Sequence, residues 1–163
     1  MLALMADSRA SQALSLVFND EAATARFGAK LARLLKPGDV VALTGGLGSG
    51  KTALARAVVR AFQPEEDVPS PTFTLVQQYP TPNFAIWHVD LYRLTSAREV
   101  QEFGLDEALD AGGALLIEWP ERAGNWLPDD RLDIALSIGA SPSERRADIV
   151  AHGSWLARLD ALR

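Results

Sequence analysis

Gly45-Gly46-Leu47-Gly48-Ser49-Gly50-Lys51-Thr52 places its glycines, lysine and threonine in the spacing GxxxxGK[S/T], the pattern of a loop that binds nucleotide phosphates. The chemistry follows from the residue types. Glycines let backbone N–H groups turn inward, so Gly46, Leu47, Gly48, Ser49 and Gly50 can cradle a phosphate. A helix starting there adds the positive end of its dipole. Lys51 would reach the β- and γ-phosphates as a point charge, and Thr52 would offer its hydroxyl to Mg²⁺. Such a site needs a second acidic group at the end of a neighbouring strand, to hold the ion or position a water. Asp90 follows Ile86-Trp87-His88-Val89, and Glu118 follows Leu115-Leu116-Ile117. A carboxylate ending a buried strand is costly unless a cation meets it. Ser70-Pro71-Thr72 is a third candidate: Ser70 and Thr72, hydroxyls on a stiffened loop, can touch the γ-phosphate or the metal and report its loss, or can simply begin a strand.

The elements that must position these groups are legible in outline. Asp39 to Thr44 is a short apolar run, read as a buried strand, and Thr52 to Phe62 reads as a helix. Upstream, Leu14 to Phe18 can form a strand, and Asn19 and Asp20 are good caps for a helix from Glu21 to Leu35. Ala23, Phe27, Leu31, Leu34 and Leu35 fall on one face of it, and Lys36-Pro37-Gly38 stops it. That helix leads into the loop strand, so either it only packs on the sheet or Asp20, Glu21 and Thr24 also lie near the base or ribose. Phe73 to Tyr79 and Phe84 to Asp90 are two strands joined by Pro80-Thr81-Pro82-Asn83. So short a link makes an antiparallel hairpin, because a parallel crossover needs a dozen or more residues. Ser96 and Glu99 match a capping box for a short helix through Phe103. Asp106 to Leu109 is a further helical turn, Arg131–Ile138 and Arg145–Ala151 are the last strands, and Ser154–Leu162 is a C-terminal helix. The fold expected is α/β: a three-layer P-loop NTPase with a mixed central sheet containing an antiparallel hairpin. Residues 1–10 read as a flexible N-terminal extension and 11–163 as a single domain.

Bulk properties narrow the partners. The chain has 163 residues, 48% hydrophobic, with no cysteine. That excludes disulfides, thiolate catalysis and cysteine-ligated zinc, and fits a cytoplasmic protein. Its two histidines, His88 and His152, have no metal-ligand spacing and read as structural. No apolar run approaches the ~18 residues of a membrane span. The formal charge is −5, and no lysine or arginine cluster marks a nucleic-acid face. Arg145-Arg146, the densest basic spot, reads as a solvated turn. A role in RNA chemistry would therefore run through partner proteins, without strong direct RNA binding.

The loop motif together with Ser70-Pro71-Thr72-Phe73-Thr74-Leu75-Val76, Asp90-Leu91-Tyr92-Arg93-Leu94, Glu102-Phe103-Gly104-Leu105-Asp106-Glu107 and Glu118-Trp119-Pro120-Glu121 resembles the TsaE family, bacterial ATPases of tRNA threonylcarbamoyladenosine (t6A) biosynthesis. The resemblance covers residues 14–151. It implies a small Mg²⁺-dependent ATPase that serves t6A37 modification through two partners, TsaB- and TsaD-type proteins. Those partners carry out threonylcarbamoyl transfer, and the ATPase resets the complex between cycles. On this resemblance Lys51 and Thr52 are the loop lysine and the Mg²⁺ hydroxyl, Glu118 the metal-side glutamate and Asp90 the essential strand-end aspartate. Asp20, Glu21 and Thr24 belong to the segment lining the nucleotide, and Trp119 lies beside the active site. Two positions depart from the family's loop, which reads Gly-Asp/Glu-Leu-Gly-Ala-Gly-Lys-Thr. Gly46 stands for the acid and Ser49 for the alanine, so altered turnover rather than lost binding is expected.

Two other classes share the loop. A small-molecule kinase would need an acceptor pocket and a basic lid, and the arginines here are scattered. A non-hydrolysing adaptor would use nucleotide only to fix its shape and would not need Asp90 or Glu118. No Asn/Thr-Lys-x-Asp guanine motif is present, which favours ATP.

Overall fold

The computed structural model describes residues 11–71 and 75–163. The expectations for residues 1–10, Thr72, Phe73 and Thr74 lie outside them. Seven strands form one sheet: β1 (Ser11–Phe18), β2 (Val40–Thr44), β3 (Val76–Pro80), β4 (Ala85–Asp90), β5 (Ala114–Glu118), β6 (Leu132–Ile138) and β7 (Arg145–His152). Their spatial order is β1-β7-β6-β2-β5-β4-β3. β2 pairs parallel with β5 and β6, and β4 parallel with β5. The outer pairs, β3–β4, β6–β7 and β1–β7, are antiparallel. The sheet is mixed, and the hairpin reversal at Thr81–Phe84 closes with the Thr81 N–H on the Phe84 carbonyl at 2.9 Å.

Alternating side chains assign the faces. Val41, Leu43, Ile86, Leu116 and Ile134 face α1 (Glu21–Leu34), α2 (Lys51–Phe62) and a C-terminal segment at Gly153–Leu162. Val40, Val89, Leu115 and Ile117 face α3 (Leu105–Asp110) and two 3-10 segments, Ala97–Phe103 and Pro120–Trp126. Three layers result, with β5 buried at all of its residues, as a parallel strand covered on both faces should be. α1 and α2 pack side by side at Gly28, where an added Cβ would collide with the Ala57 Cβ. This close approach sets the spacing of the groove above it.

Several boundaries differ from the sequence reading. β1 begins at Ser11 because its partner β7 is long enough to pair it through His152. The Ser96 segment is 3-10 rather than α: Ser96 caps the Arg98 N–H at 3.3 Å, and Glu99 accepts from the Thr95 hydroxyl at 2.6 Å instead of closing a capping box. Gly153–Leu162 is also 3-10, and side-chain contacts anchor it. Arg158 pairs with Asp39 through both nitrogens, at 2.7 and 2.9 Å, and donates to the Leu34 carbonyl at 2.8 Å. Its guanidinium lies 3.7 Å from the Trp155 ring centroid. The tail is thereby tied to Asp39, the residue before the strand that delivers the glycine-rich loop.

Candidate functional site

The loop leaves β2 after Thr44 and enters α2 at Lys51. Gly45 has φ 144°, and a Cβ there would strike the Ser49 side chain and the Leu136 carbonyl, so only glycine makes this exit. Lys51 is 5% exposed. Its ammonium donates to the carbonyls of Gly45 at 2.6 Å and Gly46 at 2.8 Å and lies 4.4 Å from the Trp119 ring centroid. Burial lowers its pKa below the ordinary lysine value; the negative fields of Glu118, Asp90 and Glu121 oppose that without reversing it.

β5 sits beside β2, and β4 beside β5, so the two strand-end acids meet. Asp90 and Glu118 are register partners, each 3% exposed. The Thr52 hydroxyl donates to Glu118 at 3.0 Å from both carboxylate oxygens. The Tyr92 N–H donates to Asp90 Oδ1 at 2.8 Å. After Glu118 the chain turns sharply: Trp119 has φ 57° and ψ 49°, a left-handed conformation costly for a bulky residue and concentrated at functional sites. The turn puts the Trp119 ring against Lys51 and, at 4.9 Å between centroids, against Tyr92.

These groups enclose a cavity of about 330 Å³, lined by Leu47 through Thr52, Ser70, Asp90, Glu118 and Trp119. A second cavity of about 480 Å³ lies in the groove between α1 and α2, with Glu21 and Thr24 at one side and alanines along both helices. Of the residues singled out from sequence, Asp20 lines neither cavity; its carboxylate caps α1 by accepting the Ala23 N–H at 2.8 Å. Gly46 is exposed on the outer turn of the loop, and Thr72 lies outside the described residues.

A hard divalent cation such as magnesium would fit the donor set. Thr52 and Glu118 present hard oxygens side by side. Among the described residues no lysine or arginine pairs with Glu118, and no group of three His, Cys, Asp or Glu side chains forms a protein-only metal cage. Magnesium is commonly held by one or two protein oxygens, with phosphate oxygens and waters completing its shell, and two such donors are what the site provides.

Sequence reasoning missed two members. His88 is fully buried, with Nε2 2.6 Å from Glu118 Oε2, and its Nδ1 has no hydrogen-bond partner among the described residues. The signal was available: residues two apart on a strand share a face, so His88 points the same way as Asp90. Arg145, read as part of a solvated turn, instead opens β7 and donates from Nη2 to the Gly48 carbonyl at 3.2 Å. The β6–β7 hairpin carries it there, and no local pattern announces that.

The Ser49 hydroxyl is buried without a partner among the described residues, and an unsatisfied buried hydroxyl destabilises. Ser49→Ala is therefore expected to raise stability by about 1 kcal/mol with nucleotide affinity unchanged, read by denaturant melts and calorimetric titration.

Comparison with known proteins gives a consistent set. The sequence model described as "Threonylcarbamoyl adenosine biosynthesis protein TsaE" matches residues 18–147. A protein of Rickettsia felis named tRNA threonylcarbamoyladenosine biosynthesis protein TsaE is 39% identical over 91% of this chain and 86% of its own. A Bacillus subtilis protein of the same name is 36% identical over 76% of each. The crystal structure of Bacillus subtilis YdiB superposes with a TM-score of 0.75 at 27% identity, covering 94% of this chain and 93% of that one.

Proposed function

This chain belongs to the TsaE family, with that family's role in tRNA threonylcarbamoyladenosine biosynthesis, and we propose that within it the chain is a Mg²⁺-dependent ATPase acting through a TsaB- and TsaD-type partner complex. The observation that carries the reading is the contact of the Thr52 hydroxyl with Glu118 at 3.0 Å, directly beside the glycine-rich loop. A carboxylate so placed has no role in merely holding phosphates, which it repels. It has one if a divalent cation accompanies them.

Each residue's part follows from its position. The loop amides and Lys51 hold the β- and γ-phosphates, and Lys51 exchanges the Gly45 and Gly46 carbonyls for phosphate oxygens. Thr52 and Glu118 hold Mg²⁺, which supplies charge neutralisation on the terminal phosphates when bound. Asp90, one strand further out, orients the attacking water. His88 fixes the Glu118 carboxylate from behind, so that the metal-side oxygens need no reorganisation. Trp119 covers Lys51 and keeps bulk water from it. The base lies in the alanine-lined groove past Glu21 and Thr24. Turnover by the isolated chain is slow, because the mouth of the cavity carries exposed Leu47 and Tyr92 and a partner completes the wall. The −5 charge supports a route to tRNA through those partners rather than direct binding. Among the described residues no helix is long and apolar enough to cross a membrane, and the expected location is the cytoplasm.

A mass-spectrometric assay of tRNA t6A with purified partners tests this. The modification should continue through repeated cycles only when this chain and hydrolysable ATP are both present. Equal yield with a non-hydrolysable ATP analogue would leave the adaptor reading standing and remove the ATPase one.

A further inference from the structure

The phosphate cavity and the groove between α1 and α2 have three lining residues in common: Gly50, Ala53 and Arg145. Only Arg145 carries a functional side chain at that neck. Its Nη1 donates to the carbonyls of Pro142 at 2.6 Å and Glu144 at 3.0 Å, and its Nη2 to the Gly48 carbonyl at 3.2 Å. Its Cγ, Cδ and Nε pass 3.6–3.8 Å from the point where a Gly50 Cβ would stand. All three partners are neutral backbone oxygens. Among the described residues no carboxylate pairs with Arg145. Among the described residues, the other arginines with two or more carbonyl or carboxylate bonds, Arg131 and Arg158, are paired with Asp133 and Asp39. A guanidinium has five N–H donors in a fixed fork, so these three bonds orient it and leave donors over.

We propose that Arg145 is a nucleotide-binding residue: its guanidinium pairs with the phosphate chain where that chain joins the sugar, at the neck between the two cavities. The proposal rests on the nucleotide reading above and adds a cation to it. Lys51 lies on the far side of the loop, beside Trp119 and the acids, and is placed for the terminal phosphates. The groove holds the base end. A nucleoside triphosphate spanning both cavities has to pass Gly50 and Ala53, and Arg145 is the side chain facing that passage. The turn at Pro142 and Ser143 is itself a wall of the groove, so the same residue joins the hairpin to the loop and to the bound phosphate.

The bland alternative is a clamp that only ties the hairpin to Gly48. Arg145→Gln separates the two, because glutamine can still donate to a carbonyl but carries no charge. Binding of ADP and ATP is measured by calorimetric titration, and binding of tripolyphosphate by displacement of a fluorescent ADP. The glutamine variant should lose about 10-fold or more for all three ligands alike, with weaker salt dependence than wild type and an unchanged melting temperature without nucleotide. Arg145→Lys should lose less than the glutamine variant. If wild type binds and the glutamine variant binds ADP within about 3-fold of it, the residue is a clamp and the proposal fails. Loss for ATP alone, or for the nucleotides but not tripolyphosphate, overturns it too, since the contact would then be with the γ-phosphate or the base. Failure of wild type to bind ADP at millimolar concentration overturns the nucleotide reading and this proposal together.

Discussion

Lys51→Met is expected to reduce ATP and ADP affinity by about 100-fold or more while leaving the empty protein at least as stable as wild type. The two effects have one cause. The ammonium is buried, bonded to two neutral carbonyls at 2.6 and 2.8 Å, and among the described residues it has no carboxylate in contact. A charge-assisted hydrogen bond contributes roughly 1.5–3 kcal/mol, and an ammonium contacting two phosphates makes more than one. At about 1.4 kcal/mol per tenfold, that accounts for two orders of magnitude. Without phosphate the same charge is held at a cost, which is why burial lowers its pKa. The sign follows. The folded state binds this proton less tightly than the unfolded chain does. Its contribution to stability therefore rises with pH across the interval from the lowered value up to the ordinary 10.5. Any melting-temperature advantage of Lys51→Met should be largest at neutral pH and close as pH climbs through that interval. A nucleotide affinity within about 5-fold of wild type would remove Lys51 from the site. An advantage that widened with pH would remove the desolvation account.

The same residues show where sequence reading reaches and where it stops. The loop, its strand and its helix are contiguous, so glycine spacing and apolar periodicity describe them within a residue or two. Asp90 and Glu118 were legible as strand-end acids because each closes a short strand-like run, Ile86-Trp87-His88-Val89 and the apolar Leu115-Leu116-Ile117. That they are neighbours was not, since strand order is a matter of pairing between segments far apart in sequence. His88 illustrates the intermediate case. Its face was implied by alternation, but its partner follows only once β4 is known to lie parallel to β5. Arg145 is beyond reach: it sits 97 residues from Gly48, and a hairpin, not a motif, delivers it. The C-terminal segment was legible as a helix; its 3-10 form and its tie through Arg158 to Asp39 depend on contacts outside it.

Glu118→Gln should cut phosphate release by about 100-fold or more while ATP affinity in the absence of magnesium stays within a few fold of wild type. Glutamine keeps the shape, can still meet the Thr52 hydroxyl and the His88 ring, and so isolates the charge. Removing a preorganised charge-stabilising group of this kind costs roughly 10²–10³ in turnover. Magnesium supplies the discriminating measurement. In wild type, adding it should tighten ATP binding, because the Glu118 carboxylate would help to hold the ion. In the variant most of that enhancement should vanish. A merely structural glutamate predicts the reverse pattern. It is buried, contacts a histidine and a threonine, and its neutral isostere should then either leave turnover intact or lower the melting temperature with affinity and turnover falling together. Full phosphate release by the variant with both partner proteins present would remove Glu118 from the catalytic machinery, and undiminished t6A formation despite lost phosphate release would sink the hydrolytic reading. Asp90→Asn provides the internal check. If Asp90 orients the water rather than the metal, its variant should lose turnover to a similar degree yet keep the magnesium enhancement of ATP binding. The two acids, paired in register at the ends of adjacent parallel strands, would then divide the labour, one holding the ion and the other the water.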